Sequence, residues 1–120
     1  MDLGIKDRVA LITGASSGIG YACAETLSEE GVRVAICGRN AERINRSAIN
    51  IRDKTGGEVV PFVADVSKSD DIDELLLNVK THLGTVDILL VNHGGPPRGS
   101  FDALSDEQWK EGFDVTMMST

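Results

Sequence analysis

The sequence predicts an α/β domain built on a doubly wound parallel sheet, and three observations carry that prediction. Short apolar runs alternate with amphipathic stretches along the whole chain, in the order β-α-β-α-β-α-β-α. The runs are nearly unbroken rather than alternating, as strands covered by helices on both faces must be. The first run passes directly into Thr13-Gly14-Ala15-Ser16-Ser17-Gly18-Ile19-Gly20, a turn of glycines and small hydroxyls that opens a helix.

The elements follow in order. Arg8 to Ile12 is the first strand. From Gly18 to Glu30 the residues Ile19, Ala22, Cys23, Thr26 and Leu27 recur at helical spacing, and Gly31 supplies the stop. Val32 to Cys37 is a second buried strand, after which Asn40 caps a helix with Ile44, Ala48 and Ile51 on one face, ending near Gly56-Gly57. Glu58 to Ala64 is the third strand. Pro61 inside it cannot donate a ladder hydrogen bond and belongs on an edge, which fits a strand order 3-2-1-4 with the third strand outermost. Ser67 or Ser69 caps the next helix, where Asp70, Asp71, Asp73 and Glu74 favour the positive end of the dipole. Ile72, Leu75, Leu76, Val79 and Leu83 form its buried stripe, and Gly84 ends it. Val86 to Val91 is the fourth strand, leading into Asn92-His93-Gly94-Gly95-Pro96-Pro97-Arg98-Gly99, a loop too rich in Gly and Pro for regular structure. Ser105 with Gln108 matches a capping box, and Trp109, Gly112, Phe113, Thr116 and Met117 define one face of a last helix. The crossovers should be right-handed.

At 120 residues the chain has the size of one domain, and 41% hydrophobic with 26% charged residues is ordinary for a soluble globular protein. A net charge of -7 without a basic block argues against a nucleic-acid partner. The N-terminus has no apolar h-region, and no run approaches the roughly 18 apolar residues of a membrane span, so a cytosolic protein with no membrane partner is expected. Cys23 and Cys37 fall in a predicted helix and strand without C-x-x-C or metal spacing. They read as reduced core thiols, and no metal site is expected.

The chemistry lies in the glycine turn. A strand that ends in glycines and becomes a helix leaves backbone N–H groups uncovered at the positive end of a helix dipole, which is a seat for phosphate. Gly14 would let the chain turn out of the strand, Gly18 would let a pyrophosphate approach the backbone, and Gly20 would let the helix pack close on the sheet. About 20 residues further on, where a fold selecting NAD presents an acid to the ribose 2′-hydroxyl, the sequence has Gly38-Arg39-Asn40. Gly38 leaves room and Arg39 offers a bidentate donor for a 2′-phosphate, so NADP(H) is the favoured cofactor and NAD(H) the alternative.

The G-x-x-x-G-x-G spacing, with Thr13 before it and Ser16-Ser17 within it, resembles the cofactor loop of the short-chain dehydrogenase/reductase family, whose fold is Rossmann-like. The resemblance runs from Arg8 to Thr120, with four landmarks in order. It implies cofactor contacts from Gly14, Ser16, Ser17, Gly18, Ile19 and Gly20, and from Arg39 and Asn40. It places the Asp65 carboxylate near the adenine amine with the Val66 backbone beside it; taken alone, Asp65 reads equally as a turn or capping residue. Asn92-His93-Gly94-Gly95 resembles the N-N-A-G motif, with His93 for Asn and Gly94 for Ala. Asn92 would knit backbone groups of neighbouring strands, while Gly94 and Gly95 would let the chain pass close to the adenosine ribose and pyrophosphate. His93 reads as a loop-satisfying residue rather than an acid–base group.

Thr116 stands where the family usually has Asn, seven residues beyond Trp109, in a water chain leading to the catalytic lysine. A hydroxyl is shorter and cannot copy both amide functions. The family's catalytic Ser and Tyr-x-x-x-Lys have no counterpart: Tyr21 is the sole tyrosine, with Glu25 four residues on. No catalytic residue is therefore assigned, and the 120 residues alone are expected to be inactive.

The resemblance implies an oxidoreductase that interconverts a small-molecule carbonyl and an alcohol. A 3-oxoacyl-carrier-protein reductase is one form; sugar and polyol dehydrogenases fit equally. It also implies a dimer or tetramer in which the last helix packs on a partner. The fourth strand has neither Pro nor a charge after Asp87, although it would be a sheet edge. A neighbouring strand is therefore expected, and with it a protein roughly twice as long, of which this chain is the cofactor-binding half. The alternatives are a non-catalytic nucleotide-binding module or a short remnant that protects its edge by self-association.

Overall fold

A computed structural model describes residues 2–120. The elements are β1 (Val9–Ile12), α1 (Gly18–Glu29), β2 (Arg33–Gly38), α2 (Ala41–Thr55), β3 (Val59–Val63), α3 (Ser69–Leu83), β4 (Ile88–Leu90) and α4 (Asp106–Phe113), the last running into a π-helical turn, Asp114–Met118. The strands form one sheet in the order β3-β2-β1-β4, all pairs parallel. Pro61 does lie on the outermost strand, paired on one side only with Ile36.

Because successive strand residues face opposite ways, each strand feeds two cores. Ala10, Ile12, Val34 and Ile36 join Ala24 of α1 and Ile44, Ala48 and Ile51 of α2 on one face. Val9, Leu11, Ala35 and Cys37 join Leu75, Val79 and Leu83 of α3 on the other. Arg33 fastens the second layer to the sheet by donating from Nη1 to the Leu83 carbonyl (3.0 Å) and from Nε to Glu58 (2.9 Å). Among the described residues no helix is long and apolar enough to cross a membrane.

Several sequence expectations are corrected. β4 is shorter than Val86–Val91, because it has one neighbour and only three register pairs, Ala10 with Ile88 through Ile12 with Leu90. On α1 the buried residues are Gly20, Ala24 and Ser28, whereas Ile19 is 74% exposed and Ala22 is exposed. The helix turns its smallest residues to the sheet because it packs so close there: a Cβ on Gly20 would stand 2.5 Å from the Gly14 carbonyl oxygen. Cys23 is consequently half-buried rather than a core thiol. The residue capping α3 is Lys68, since Ser67 is engaged with Asp65 and Ser69 already belongs to the helix. Leu76 is exposed rather than part of the α3 stripe. The last helix has its expected capping box, and the expected apolar face carrying Trp109, Phe113 and Met117 is exposed in the single chain.

Candidate functional site

A crevice of about 880 Å³ opens at the carboxyl ends of the four strands. It lies over β1, where the chain continues outward on one side to β2 and β3 and on the other to β4, the switch point at which open α/β sheets bind ligands. The glycine turn forms its floor. Gly14 and Gly18 both have positive φ, +60° and +63°, so the chain leaves β1 and enters α1 through two left-handed positions that favour glycine. A Cβ on Gly18 would meet nothing within 4 Å, so it would fill the crevice itself. Ser17, the N-cap of α1, makes no side-chain cap, which leaves the first-turn amides for another acceptor. Ser16, Ser17 and Ile19 line the crevice with them; Gly20 does not, being turned inward to the sheet.

The turn is tied to the loop after β4. The Thr13 hydroxyl donates to the Asn92 carbonyl (2.6 Å) and accepts from the Asn92 amide (2.9 Å), while Asn92 Nδ2 donates to the Gly14 carbonyl (3.0 Å). A Cβ on Gly14 would come within 2.9 Å of the Asn92 carbonyl oxygen, so glycine is needed there for space as well as for φ. On the other side the Ala15 amide donates to the Cys37 carbonyl (3.1 Å), and the Ser47 hydroxyl donates to the Ser16 carbonyl (2.9 Å). These bonds hold the glycine turn in one conformation before any ligand arrives. Gly94 and Gly95 continue the crevice wall beyond Asn92. His93 Nδ1 lies 2.6 Å from the Gly94 carbonyl and so donates to it.

The ends of β2 and β3 close the far side. Arg39, Asn40, Asp65 and Val66 all line the crevice. Asn40 is also the N-cap of α2, its Oδ1 accepting from the Arg43 amide at 3.0 Å. Asp65 builds an Asx turn, accepting from the Ser67 hydroxyl (2.6 Å) and amide (3.0 Å), and its own amide donates to Asp71 (2.8 Å). The Ser67 hydroxyl, with Arg39 nearby, holds the Asp65 carboxyl below its usual range. Cys37 sits at the base, where burial pushes its thiol up to about 11, and its S–H donates to the Ala64 carbonyl at 3.6 Å.

Thr116 is not brought to this crevice. It lies in the π-helical turn, where its hydroxyl oxygen is buried without a hydrogen-bond partner. Instead α4 and the following turn contribute Glu111 and Val115, four residues apart and therefore on one helical face. Sequence reasoning missed both, although that spacing, set against the Trp109–Phe113 face, was available to find them. It also missed Ser47 and Ser67, whose hydroxyls act on the backbone and on Asp65 in ways no spacing announces.

The order of strands and the crevice at the switch point define an α/β protein of the doubly wound class, with a glycine turn at the head of its first helix facing the crevice. Comparison with known proteins makes this specific: the short chain dehydrogenase family model matches residues 8–120, and the chain belongs to that family. It is 38% identical over 117 residues to an uncharacterized oxidoreductase of Staphylococcus saprophyticus, covering 97% of this chain and 50% of the relative. It is 34% identical over 116 residues to a 3-oxoacyl-[acyl-carrier-protein] reductase of Chlamydia muridarum, covering 96% of this chain and 46% of that protein. Among solved structures it superposes on the L-sorbose reductase of Gluconobacter frateurii, complexed with NADPH and L-sorbose, with a TM-score of 0.92 at 33% identity, covering 99% of this chain and 45% of the reductase. The chain spans about half the length of the curated relatives it matches.

Proposed function

We propose that this chain is the cofactor-binding half of an NADP(H)-dependent oxidoreductase that interconverts a small-molecule carbonyl and an alcohol. One observation carries the reading: the uncapped first turn of α1 opens into a crevice whose volume is in the range of small-molecule sites, about 300–1,000 Å³. The residues present fit a dinucleotide. Amides of the Gly18–Gly20 turn would take the diphosphate, with Gly14, Ser16, Ser17 and Ile19 shaping the floor. Asp65 and Val66 would receive the adenine, Asn92, Gly94 and Gly95 would flank the adenosine ribose and pyrophosphate, and Arg39 beside Asn40 would take a 2′-phosphate. Bound there, NADP(H) would supply the hydride, while the protein supplies position and electrostatics. NAD(H) in the same crevice is the alternative that Arg39 disfavours.

The proposal extends to the whole protein. Leu89 and Val91, 58% and 40% exposed on the sheet face that α3 covers further along, suit a layer supplied by a second half that also pairs a strand with the open β4 edge, and that half would bring the proton-transferring groups. The 120 residues alone would then be inactive. The exposed Phe101, Trp109, Phe113 and Met117 of the α4 region suit packing against another subunit of a dimer or tetramer. The substrate would be a carbonyl or alcohol, a 3-oxoacyl thioester among the possibilities.

The test is titration of the chain with NADPH and NADH, followed by fluorescence. The expected outcome is NADPH binding that Gly18→Val weakens at least about tenfold while the far-UV circular dichroism is retained, because the added side chain occupies the diphosphate position. Arg39→Ala should lower the preference for NADPH over NADH. Unchanged NADPH affinity in folded Gly18→Val sinks the reading; an unchanged ratio in Arg39→Ala removes the role given to Arg39.

A further inference from the structure

We propose that α4 is a second wall at the adenosine end of this site, and that its charges, Lys110 against Glu111 above all, set how strongly a 2′-phosphate is held. The inference rests on the dinucleotide reading above and adds to it the residues that tune cofactor choice. A smaller cavity of about 290 Å³ adjoins the main crevice. The two share Arg39, Asp65, Ser67, Glu111 and Val115, so the smaller is a side chamber of the larger. Glu107, Lys110 and Asp114 line only the side chamber.

These charges do not meet there by accident of a loop. Positions 107, 110, 111 and 114 follow the i, i+3, i+4, i+7 spacing of one helical face, and α4 is fixed in register by the Ser105–Gln108 capping box. That face stands across from Arg39 at the end of β2. The chamber therefore presents two cations, Arg39 and Lys110, and four carboxylates, Asp65, Glu107, Glu111 and Asp114. Among the described residues neither cation forms an ion pair, so both are available to a ligand. Arg39 already acts across the chamber on Asp65, whose carboxyl it helps to hold low.

A phosphate entering beside Arg39 brings about two negative charges, where the plain ribose hydroxyl brings none. Lys110 attracts that charge, and Glu107, Glu111 and Asp114 repel it. Lys110 and Glu111 are neighbours in sequence with opposite signs, and Glu111 reaches both cavities, so their removal must act in opposite directions on one cofactor and hardly at all on the other. Glu107, Lys110 and Glu111 are exposed and Asp114 is half-buried, so the effect is screened by salt. Arg39 thus works against the local field, and α4 limits a preference that Arg39 alone would make larger.

The experiment measures dissociation constants of the chain for NADPH and NADH in the wild type, Glu111→Gln and Lys110→Gln, at low ionic strength and again in about 1 M salt. Glu111→Gln should tighten NADPH about threefold to tenfold and leave NADH within about twofold; Lys110→Gln should loosen NADPH by a similar factor. Both shifts should shrink in high salt. The proposal is overturned if the NADPH to NADH ratio stays within about twofold of wild type in both variants, or if the two cofactors move together. Wild-type chain that binds neither dinucleotide overturns the dinucleotide reading and this proposal with it, whereas normal binding with an unmoved ratio overturns only the role of α4.

Discussion

The two flanks of β1 differ in how they are finished. On one side β2 is buried from Val34 to Gly38, sealed by α2 on one face and α3 on the other. On the other side β4 pairs through only three residues, and Leu89 lies 58% exposed. The crevice spans both flanks, so its parts are held with unequal firmness. The glycine turn and the Arg39 end stand on a closed core, while the Gly94-Gly95 wall and α4 stand beside an open edge. A diphosphate seat of the kind proposed must be rigid to present its amides without reorganisation, and the glycine turn proposed for it stands where the packing is complete.

The largest effect should come from the closed flank. Ile36 is fully buried in the layer beneath α2, and Ile36→Ala removes its side chain where little can collapse to fill the space. A loss of about 2–5 kcal/mol is expected in urea or guanidinium unfolding. A loss below about 1 kcal/mol would show that this flank is no firmer than the other. Next comes Gly20→Ala, which would press a methyl group against the Gly14 carbonyl at 2.5 Å and the Asn92 amide at 2.9 Å. About 1–3 kcal/mol of destabilisation should follow. Gly18→Ala sharpens the comparison, since its Cβ meets no atom within 4 Å and only the strain of φ +63° opposes it, worth about 1 kcal/mol.

That contrast between two glycines two residues apart shows what was legible in the sequence and what was not. Sequence spacing alone assigned Gly14 to the turn, Gly20 to close packing and Gly18 to an open approach, and the backbone has those geometries. The strand order was legible through Pro61, a residue whose missing N–H confines it to an edge. Burial on α1 was not. Periodicity counts Ile19 as apolar and expects it inside, but the need for Gly20 to face the sheet rotates Ile19 into the crevice. The cap of α3 failed for a related reason: Ser67 is a good cap in isolation, and Asp65 captures its hydroxyl first. Within the site, residues that end strands were legible, because topology fixes where strand ends meet. For α4 the spacing showed which residues share a face, Glu111 with Val115, but not that this face meets the crevice, because the crossing of that helix is set by the loop before it.

The base of the crevice allows a pH test of the closed flank. Burial raises the Cys37 thiol to about 11 from an ordinary 9.0. Below pH 9 both folded and unfolded chains keep the proton, and Cys37 gives no pH dependence. Between pH 9 and 11 the unfolded chain releases it while the folded chain holds it, so stability falls as pH rises through that window. At pH 10 the cost should be about 1 kcal/mol, and Cys37→Ala should remove that slope when unfolding is followed across the range. The same burial predicts that thiol-alkylating reagents at neutral pH label Cys23, which is half-buried, well before Cys37. Equal labelling rates would show that the floor of the crevice opens as readily as its surface.

The smallest effect belongs to the open flank, and its smallness is the informative part. Leu89→Thr places a β-branched, strand-compatible side chain on β4 and removes little buried surface, so in the 120-residue chain the cost should stay within about 0.5 kcal/mol. If a longer protein extends the sheet past β4 and covers this face with a further layer, as proposed, Leu89 becomes interior there and the same substitution should cost about 2 kcal/mol or more. Measuring both unfolding curves turns one residue into a gauge of whether the edge is covered. Equal, small costs in the two contexts would mean that β4 is an edge in its own right, and that the difference between the flanks is a property of the fold rather than of an incomplete sheet.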